Sequence, residues 1–390
     1  MTVDFFVVKK NLLLSEKLKF YLSLIMKKLS ILFLLIIIGL SFTSCASSGK
    51  LAKNENPEIR NVIFMIGDGM GLPDVYAAMT VSETPLNIER CNSIGLQKTF
   101  SADNYITDSG AAGTALATGI KTKNGAIGVD TAGNPVKSIL EIAEDNGLST
   151  GLVSTSSVTH ATPASFIAHQ ASRGSYEDIA LDFLKTDIDV FIGGGYDHFA
   201  KRKDKLNLLD SLRSKGYEID TTLAMILASG SPKIAGFTAP VHNPYRLKGR
   251  GDMLPASTSK AIEILKENKN GFFLMIEGSQ IDWAAHANLE DETIDETLDF
   301  DKAVGLALDF AKTDGHTLVI VTADHETGGV TITGGNREKN QAKLSFSTKD
   351  HTAVMVPVYA FGPGAEKFTG IYDNTDIFKK ILAAFRFQNQ

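Results

Sequence analysis

From Ile59 onward the chain alternates short, nearly continuous apolar runs with longer stretches in which apolar residues recur at helical spacing. The runs Asn61 to Ile66, Ser149 to Ser154, Val190 to Ile192, Phe272 to Ile276, Thr317 to Val321 and Met355 to Phe361 are rich in β-branched or aromatic residues. Continuous rather than alternating apolar character predicts strands buried on both faces. Val136 to Asn146, Ser257 to Asn268 and Glu296 to Ala311 carry the helical periodicity between them. The alternation predicts an α/β fold, a three-layer α/β/α sandwich around a large, mostly parallel central sheet. Two loosely patterned stretches, near 201–254 and 328–349, are expected to be short insertions into that frame.

The N-terminal region follows a different pattern. Met26-Lys27-Lys28 precedes an apolar run from Leu29 to Leu40 and a small polar exit ending at Ser44-Cys45. A basic start, a run too short to span a bilayer comfortably and a small-residue exit predict an export signal over 26–45. The cysteine at the exit resembles a bacterial lipoprotein signal with lipid on Cys45, although Phe42 replaces the usual aliphatic residue three positions before it. Residues 1–25 then read as an upstream start-site extension, 46–58 as a polar tether and 59–387 as one catalytic domain.

Composition narrows the classes. With 390 residues and 43% hydrophobic content, a sizeable core is available. The formal charge of −6 and a single short basic stretch, Lys201-Arg202-Lys203 with Lys205, interrupted by Asp204, leave no nucleic-acid footprint. Cys45 and Cys91 are too few for a disulfide framework.

The chemistry lies where apolar runs end. Ile63-Phe64-Met65-Ile66 leads into Gly67-Asp68-Gly69, Leu274-Met275-Ile276 into Glu277-Gly278, and Ile320-Val321-Thr322-Ala323 into Asp324-His325. In open α/β sheets the carboxyl ends of strands bind ligands. Carboxylates converging there repel one another unless cations sit between them, which implies bound metal. Asp282 and His286 are four residues apart, on one face of a helical turn, and with His351 would suit a zinc ion. Asp68, Asp324 and His325 would suit a second zinc, and Asp68, Glu277 and the Thr162 hydroxyl a magnesium ion. Singly, each has an ordinary explanation as a helix cap or a satisfied histidine; together they point to metal. In Thr107-Asp108-Ser109-Gly110-Ala111-Ala112-Gly113-Thr114-Ala115 a serine opens a run of small residues. At a helix N-terminus it would face any bound anion, phosphate among them.

Gly67-Asp68-Gly69-Met70-Gly71, Thr107-Asp108-Ser109-Gly110-Ala111, Glu277-Gly278-Ser279-Gln280-Ile281-Asp282 and Thr322-Ala323-Asp324-His325 stand in the order of the alkaline phosphatases, which the chain resembles over nearly its whole length after Ile59. The resemblance implies two zinc ions and one magnesium ion on the ligand sets just named, with Asp68 bridging the second zinc and the magnesium. It makes Ser109 the nucleophile that forms a covalent phosphoserine during hydrolysis of phosphate monoesters, and Arg173 the guanidinium that grips phosphate. His160 and Trp283 depart from the best-known enterobacterial pattern, which has aspartate and lysine there. Acting on the phosphate or the magnesium indirectly, they are expected to tune metal affinity and turnover. Because the grip is on the phosphoryl group, a broad range of phosphate monoesters is expected; the N-terminal signal implies export, to the periplasm or an outer-membrane anchor, and the reading is compatible with a homodimer. A phosphodiesterase or mutase of the same superfamily, and a non-catalytic lipoprotein that sequesters metal or phosphate, remain the alternatives. A sulfatase would need proline two residues after its nucleophile, and Ser109-Gly110-Ala111 lacks it. If Cys45 carries the anchor, Cys45→Ser abolishes fatty-acid labelling in the native host; persistent label places the lipid elsewhere.

Overall fold

The computed structural model describes residues 15–30 and 58–387. Residues 15–30 form a helix, and among the described residues no helix is long and apolar enough to cross a membrane. Cys45, most of the expected export signal and almost all of the tether lie outside the described residues.

The main unit contains fourteen strands among the described residues: β1 Asn61–Gly67, β2 Ser93–Lys98, β3 Ser149–Ser157, β4 Val190–Gly194, β5 Glu218–Asp220, β6 Ile234–Ala239, β7 Phe272–Gly278, β8 Thr317–Thr322, β9 Glu326–Thr327, β10 Val330–Asn336, β11 Gln341–Phe346, β12 His351–Thr352, β13 Val356–Phe361 and β14 Gly370–Asp373. Ten form one sheet in the order β14-β2-β13-β8-β1-β7-β3-β4-β6-β5. Within it β13 runs against both neighbours, and every other pairing is parallel.

Alternation of side chains along each strand feeds two cores. On β1, Val62, Phe64 and Ile66 enter one core with Phe273, Met275, Leu116 and Ile377, while Ile63 and Met65 enter the other with Leu274, Ile276, Leu254 and Val304. The helices Ser109–Thr118, Ile139–Asp145 and Asn374–Phe385 cover the first face, and Leu72–Val81, Met253–Leu265 and Glu290–Asp314 the second. The fold is the expected α/β/α sandwich.

All six expected strands and all three expected helices are present, with shifted ends. The long helix begins at Glu290 rather than near Glu296, because its first turn, Glu290, Asp291 and Glu292, is selected for the helix dipole and not for burial. The stretch 201–254 differs more from its reading as an insertion. Besides the helices Leu208–Ser214 and Leu223–Ala228 it supplies β5 and β6, which extend the sheet beyond β4. Glycine and threonine dilute β6 (IAGFTA), so its apolar run is too short to stand out. The end of the 201–254 stretch is clamped to the long helix, where the buried Arg250 donates to Glu296 Oε1 at 3.0 Å and Asp299 Oδ2 at 2.8 Å. Within 328–349, β10 and β11 form a hairpin outside the main sheet, packed through Val330 and Leu344 on Ala77 and Ile294.

Parallel strands deliver their carboxyl ends to one edge. Ile66 of β1 lies opposite Glu277 of β7 and Thr322 of β8, so Asp68, Glu277 and Asp324 emerge from three adjacent strands. Near the start of β3, Glu144 accepts from Thr150 Oγ1 at 3.0 Å and from the Asp187 amide at 3.2 Å, and burial, outweighing these bonds, pushes its carboxyl up to about 7. The folded state thus holds a proton that the unfolded chain releases near pH ~4.3. This contribution to stability is complete below that pH and is lost as pH rises through about 7. Urea melts of Glu144→Gln against the parent from pH 5 to 8 should show the variant gaining in relative stability as pH rises; a difference independent of pH argues against the assignment.

Candidate active site

The turn after β1 is tight. Gly69 has φ +73°, and a Cβ there would come within 2.8 Å of both Asp282 Cα and Thr327 Oγ1, so only glycine lets these segments meet. The Gly69 amide donates to Asp324 Oδ1 at 3.1 Å, joining the ends of β1 and β8.

Ser109 opens the helix Ser109–Thr118, whose residues are all buried. Asp108 caps it, its Oδ1 accepting from Ala111 N–H at 2.9 Å. Small residues admit the helix into the core: a Cβ on Gly113 would meet Ser165 Oγ at 2.8 Å. The Ser109 hydroxyl lies 3.3 Å from His325 Nε2.

Around it the expected side chains converge. His325 Nε2 is 3.2 Å from Asp324 Oδ2 and 3.5 Å from Asp68 Oδ1. Asp282 Oδ1 is 3.3 Å from His286 Nε2 and 3.5 Å from His351 Nε2, and the two histidine Nε2 atoms are 3.1 Å apart. Thr162 Oγ1 lies 3.3 Å from Asp68 Oδ2. Glu277 Oε2 accepts from Ser154 Oγ at 2.6 Å and Ser156 Oγ at 3.3 Å. Among the described residues, potential ligand atoms within 4.8 Å of one another form three groups: Asp282, His286 and His351; Asp68, Asp282 and His325; and Asp68, His160 and Glu277. Asp282 therefore reaches the second group as well as the first, and His160, expected to act indirectly, reaches the Asp68–Glu277 pair itself.

Two features fit this cradle to metal. Asp68 Oδ1, Glu277 Oε1, Asp324 Oδ2 and His160 Nδ1 are buried with no hydrogen-bond partner, a costly arrangement unless a cation satisfies it. In addition, all three Nε2-inward histidines hold Nδ1 on an outer partner: His351 on the Thr107 carbonyl at 2.8 Å, His286 on the Lys349 carbonyl and His325 on the Thr327 hydroxyl at 3.2 Å. That is how metal-ligating histidines are oriented. Electrostatics agree. Burial, followed by repulsion from Asp324, Asp282 and Glu277, drives the Asp68 carboxyl well above its ordinary range, and burial also raises Glu277. Burial opposes the charge of Asp324 too, but His325 beside it holds that carboxyl down to about 2.

At the rim, Arg173 Nη1 donates to Asp108 Oδ2 at 2.8 Å, and Nη2 lies 3.5 Å from His160 Nε2. Burial and then Arg173 push His160 well below the usual histidine range, so the ring is neutral. Trp283 packs edge-on against His160 and His242, with ring centres 5.5 and 4.8 Å apart. Sequence reasoning missed His242, which accepts from the Ser157 amide at 3.1 Å, because it sits in the unpatterned 201–254 stretch. It also missed Thr327, Ser154 and Ser156. The polar run Ser154-Thr155-Ser156-Ser157 closing an apolar strand was an available signal for the two serines.

A parallel-sheet fold with a buried serine at a helix N-terminus, a carboxylate–histidine cradle for divalent metal and an arginine at the rim defines a metal-dependent esterase for anionic substrates. The chain belongs to the alkaline phosphatase family, whose sequence model matches residues 59–339 and 333–387. It is 40% identical to alkaline phosphatase 4 of Bacillus subtilis, over 85% of this chain and 90% of that protein, and 32% identical to the Escherichia coli K12 alkaline phosphatase, over 83% and 86%. The structure of the alkaline phosphatase from the Antarctic bacterium TAB5 matches with a TM-score of 0.81 and 44% identity, over 85% of this chain and 99% of that one, and a mutant of that enzyme has Mg bound in its M3 site.

Exhaustive chelation should abolish phosphatase activity and lower the melting temperature, since a metal held at 100-fold above its Kd contributes ~2.7 kcal/mol to the folded state. Zinc with magnesium should restore both; a chelated protein with unchanged melting and turnover contradicts the metal cradle.

Proposed function

We propose that this alkaline phosphatase hydrolyses phosphate monoesters through a phosphoserine at Ser109, with two zinc ions and one magnesium ion. The observation that carries this reading is the Ser109 hydroxyl, buried at a helix N-terminus, 3.3 Å from His325 Nε2. Asp282, His286 and His351 hold one zinc in this scheme, Asp68, Asp324 and His325 the other, and Asp68, Thr162 and Glu277 the magnesium, with His160 near enough to join them. When bound, such ions stabilise developing negative charge and lower the pKa of coordinated oxygens. The Mg-containing TAB5 mutant supports the magnesium assignment.

The protein's own groups divide the work. Ser109 Oγ attacks phosphorus in line, and the bond to the departing alcohol oxygen breaks. Arg173 presents its guanidinium to two phosphoryl oxygens, and the N-terminal amides of the Ser109–Thr118 helix add their partial charge. Water then attacks from the vacated side, the bond from phosphorus to Oγ breaks, and the serine is regenerated. Asp108, accepting from Arg173 and capping the helix, keeps nucleophile and clamp in register. His160 and Trp283 tune the magnesium side. Because the grip is on the phosphoryl group, the substrate range is broad. Export and a lipid on Cys45 belong to the same reading, with the labelling experiment above as their test.

Ser109→Ala should lose most activity while keeping a residue of it, since the metals and Arg173 still favour attack by water. The parent enzyme should retain configuration at a chiral phosphate and prefer an aryl monoester to the diester. Inversion, or full turnover in Ser109→Ala, removes the phosphoserine route. Arg173→Ala should weaken inhibition by phosphate, its charge-assisted bonds being worth about 1.5–3 kcal/mol.

A further inference from the structure

We propose that Thr327 is a positioning residue whose hydroxyl ties the two zinc-binding groups into one hydrogen-bonded unit, from the His325 ring to the Asp282 carboxylate. The proposal rests on the ligand assignment above and adds a residue that assignment does not contain. Thr327 is fully buried. Its Oγ1 hydrogen-bonds to Asp282 Oδ1 and lies 3.2 Å from His325 Nδ1.

The direction of these bonds is forced. A carboxylate only accepts, so the threonine proton goes to Asp282, and the hydroxyl has only lone pairs left to offer His325. His325 therefore carries its hydrogen on Nδ1 and donates it to Thr327. With Nδ1 committed to that donation, Nε2, which faces Asp68 Oδ1 at 3.5 Å and Asp324 Oδ2 at 3.2 Å, is the nitrogen left to bind a metal. The order is His325 Nδ1–H to Thr327 Oγ1–H to Asp282 Oδ1.

Thr327 is held from several sides. Its amide donates to the Gly69 carbonyl at 3.1 Å, in the turn that carries Asp68. In the two-stranded β9–β12 pair it lies opposite His351. The absence of a side chain on Gly69 makes room, since a Cβ there would stand 2.8 Å from Thr327 Oγ1. The other two histidines rest on backbone carbonyls, which accept and pass nothing on. Among the described residues, His325 is thus the ring whose outer bond continues to a ligand of the neighbouring metal group. Loss of the hydroxyl loosens the His325 tautomer and the Asp282 rotamer together, and so weakens both zinc sites.

The test is zinc titration of the metal-depleted protein against a chromophoric chelator, comparing the parent with Thr327→Val, Thr327→Ser and Asp282→Asn. Thr327→Val should bind zinc about tenfold more weakly, the scale on which outer partners of metal ligands act. Thr327→Ser, which restores the hydroxyl, should bind as the parent does. Parent-like affinity in Thr327→Val alongside a loss in Asp282→Asn overturns the proposal and leaves the ligand assignment standing. Parent-like affinity in Asp282→Asn overturns both. Should Thr327→Val fail to fold, nitrogen-15 histidine NMR of the zinc-loaded parent decides: a protonated His325 Nδ1 is expected, and an unprotonated one refutes the relay.

Discussion

Asp68, Glu277 and Asp324 leave three neighbouring parallel strands at one buried edge, and the repulsion among their carboxylates is the constraint on which the active site depends. Coulomb energy between unit charges a few ångströms apart grows steeply once water is excluded. The sheet register brings these groups together, and burial drives the Asp68 carboxyl well above its ordinary range. A divalent cation turns this conflict into attraction, which is how a family of phosphoryl-transfer enzymes can keep several acids in a dry cleft.

Shape is supplied one layer further out. Ser154 and Ser156 fix one oxygen of Glu277 and leave the other without a partner. The Thr107 and Lys349 carbonyls fix His351 and His286. Gly69, in the left-handed region, lets the Asp68 turn approach the Asp282 helix. These contacts orient donors before any ion arrives, so binding has less disorder to remove.

The outer parts of the fold serve the same edge. The helix bearing Ser109 enters the core because its residues are small, and its N-terminus is thereby aimed at the cradle. The stretch 201–254, clamped by Arg250 on the long helix, lays His242 against Trp283 and His160. The stretch that extends the sheet thus also walls the site beside the Asp68–Glu277 pair.

The sequence alone determined the α/β class, its central strands, and the motifs at the ends of β1, β7 and β8, because strands buried on both faces require continuous apolar runs and acids closing them are conspicuous. It also supplied the candidate ligands, since histidines and carboxylates are few types with distinctive chemistry. Only the tertiary structure decided that β5 and β6 belong to the sheet, because a three-residue strand with two acids (EID) and a strand diluted by glycine and threonine (IAGFTA) lack a periodic signal. Likewise, only folding brought His160 to the Asp68–Glu277 pair, His242 to Trp283 and Thr327 between His325 and Asp282. Asp282 and Thr327 are 45 positions apart in the chain, and their contact follows from the crossing of backbone segments in space, which local sequence pattern does not encode.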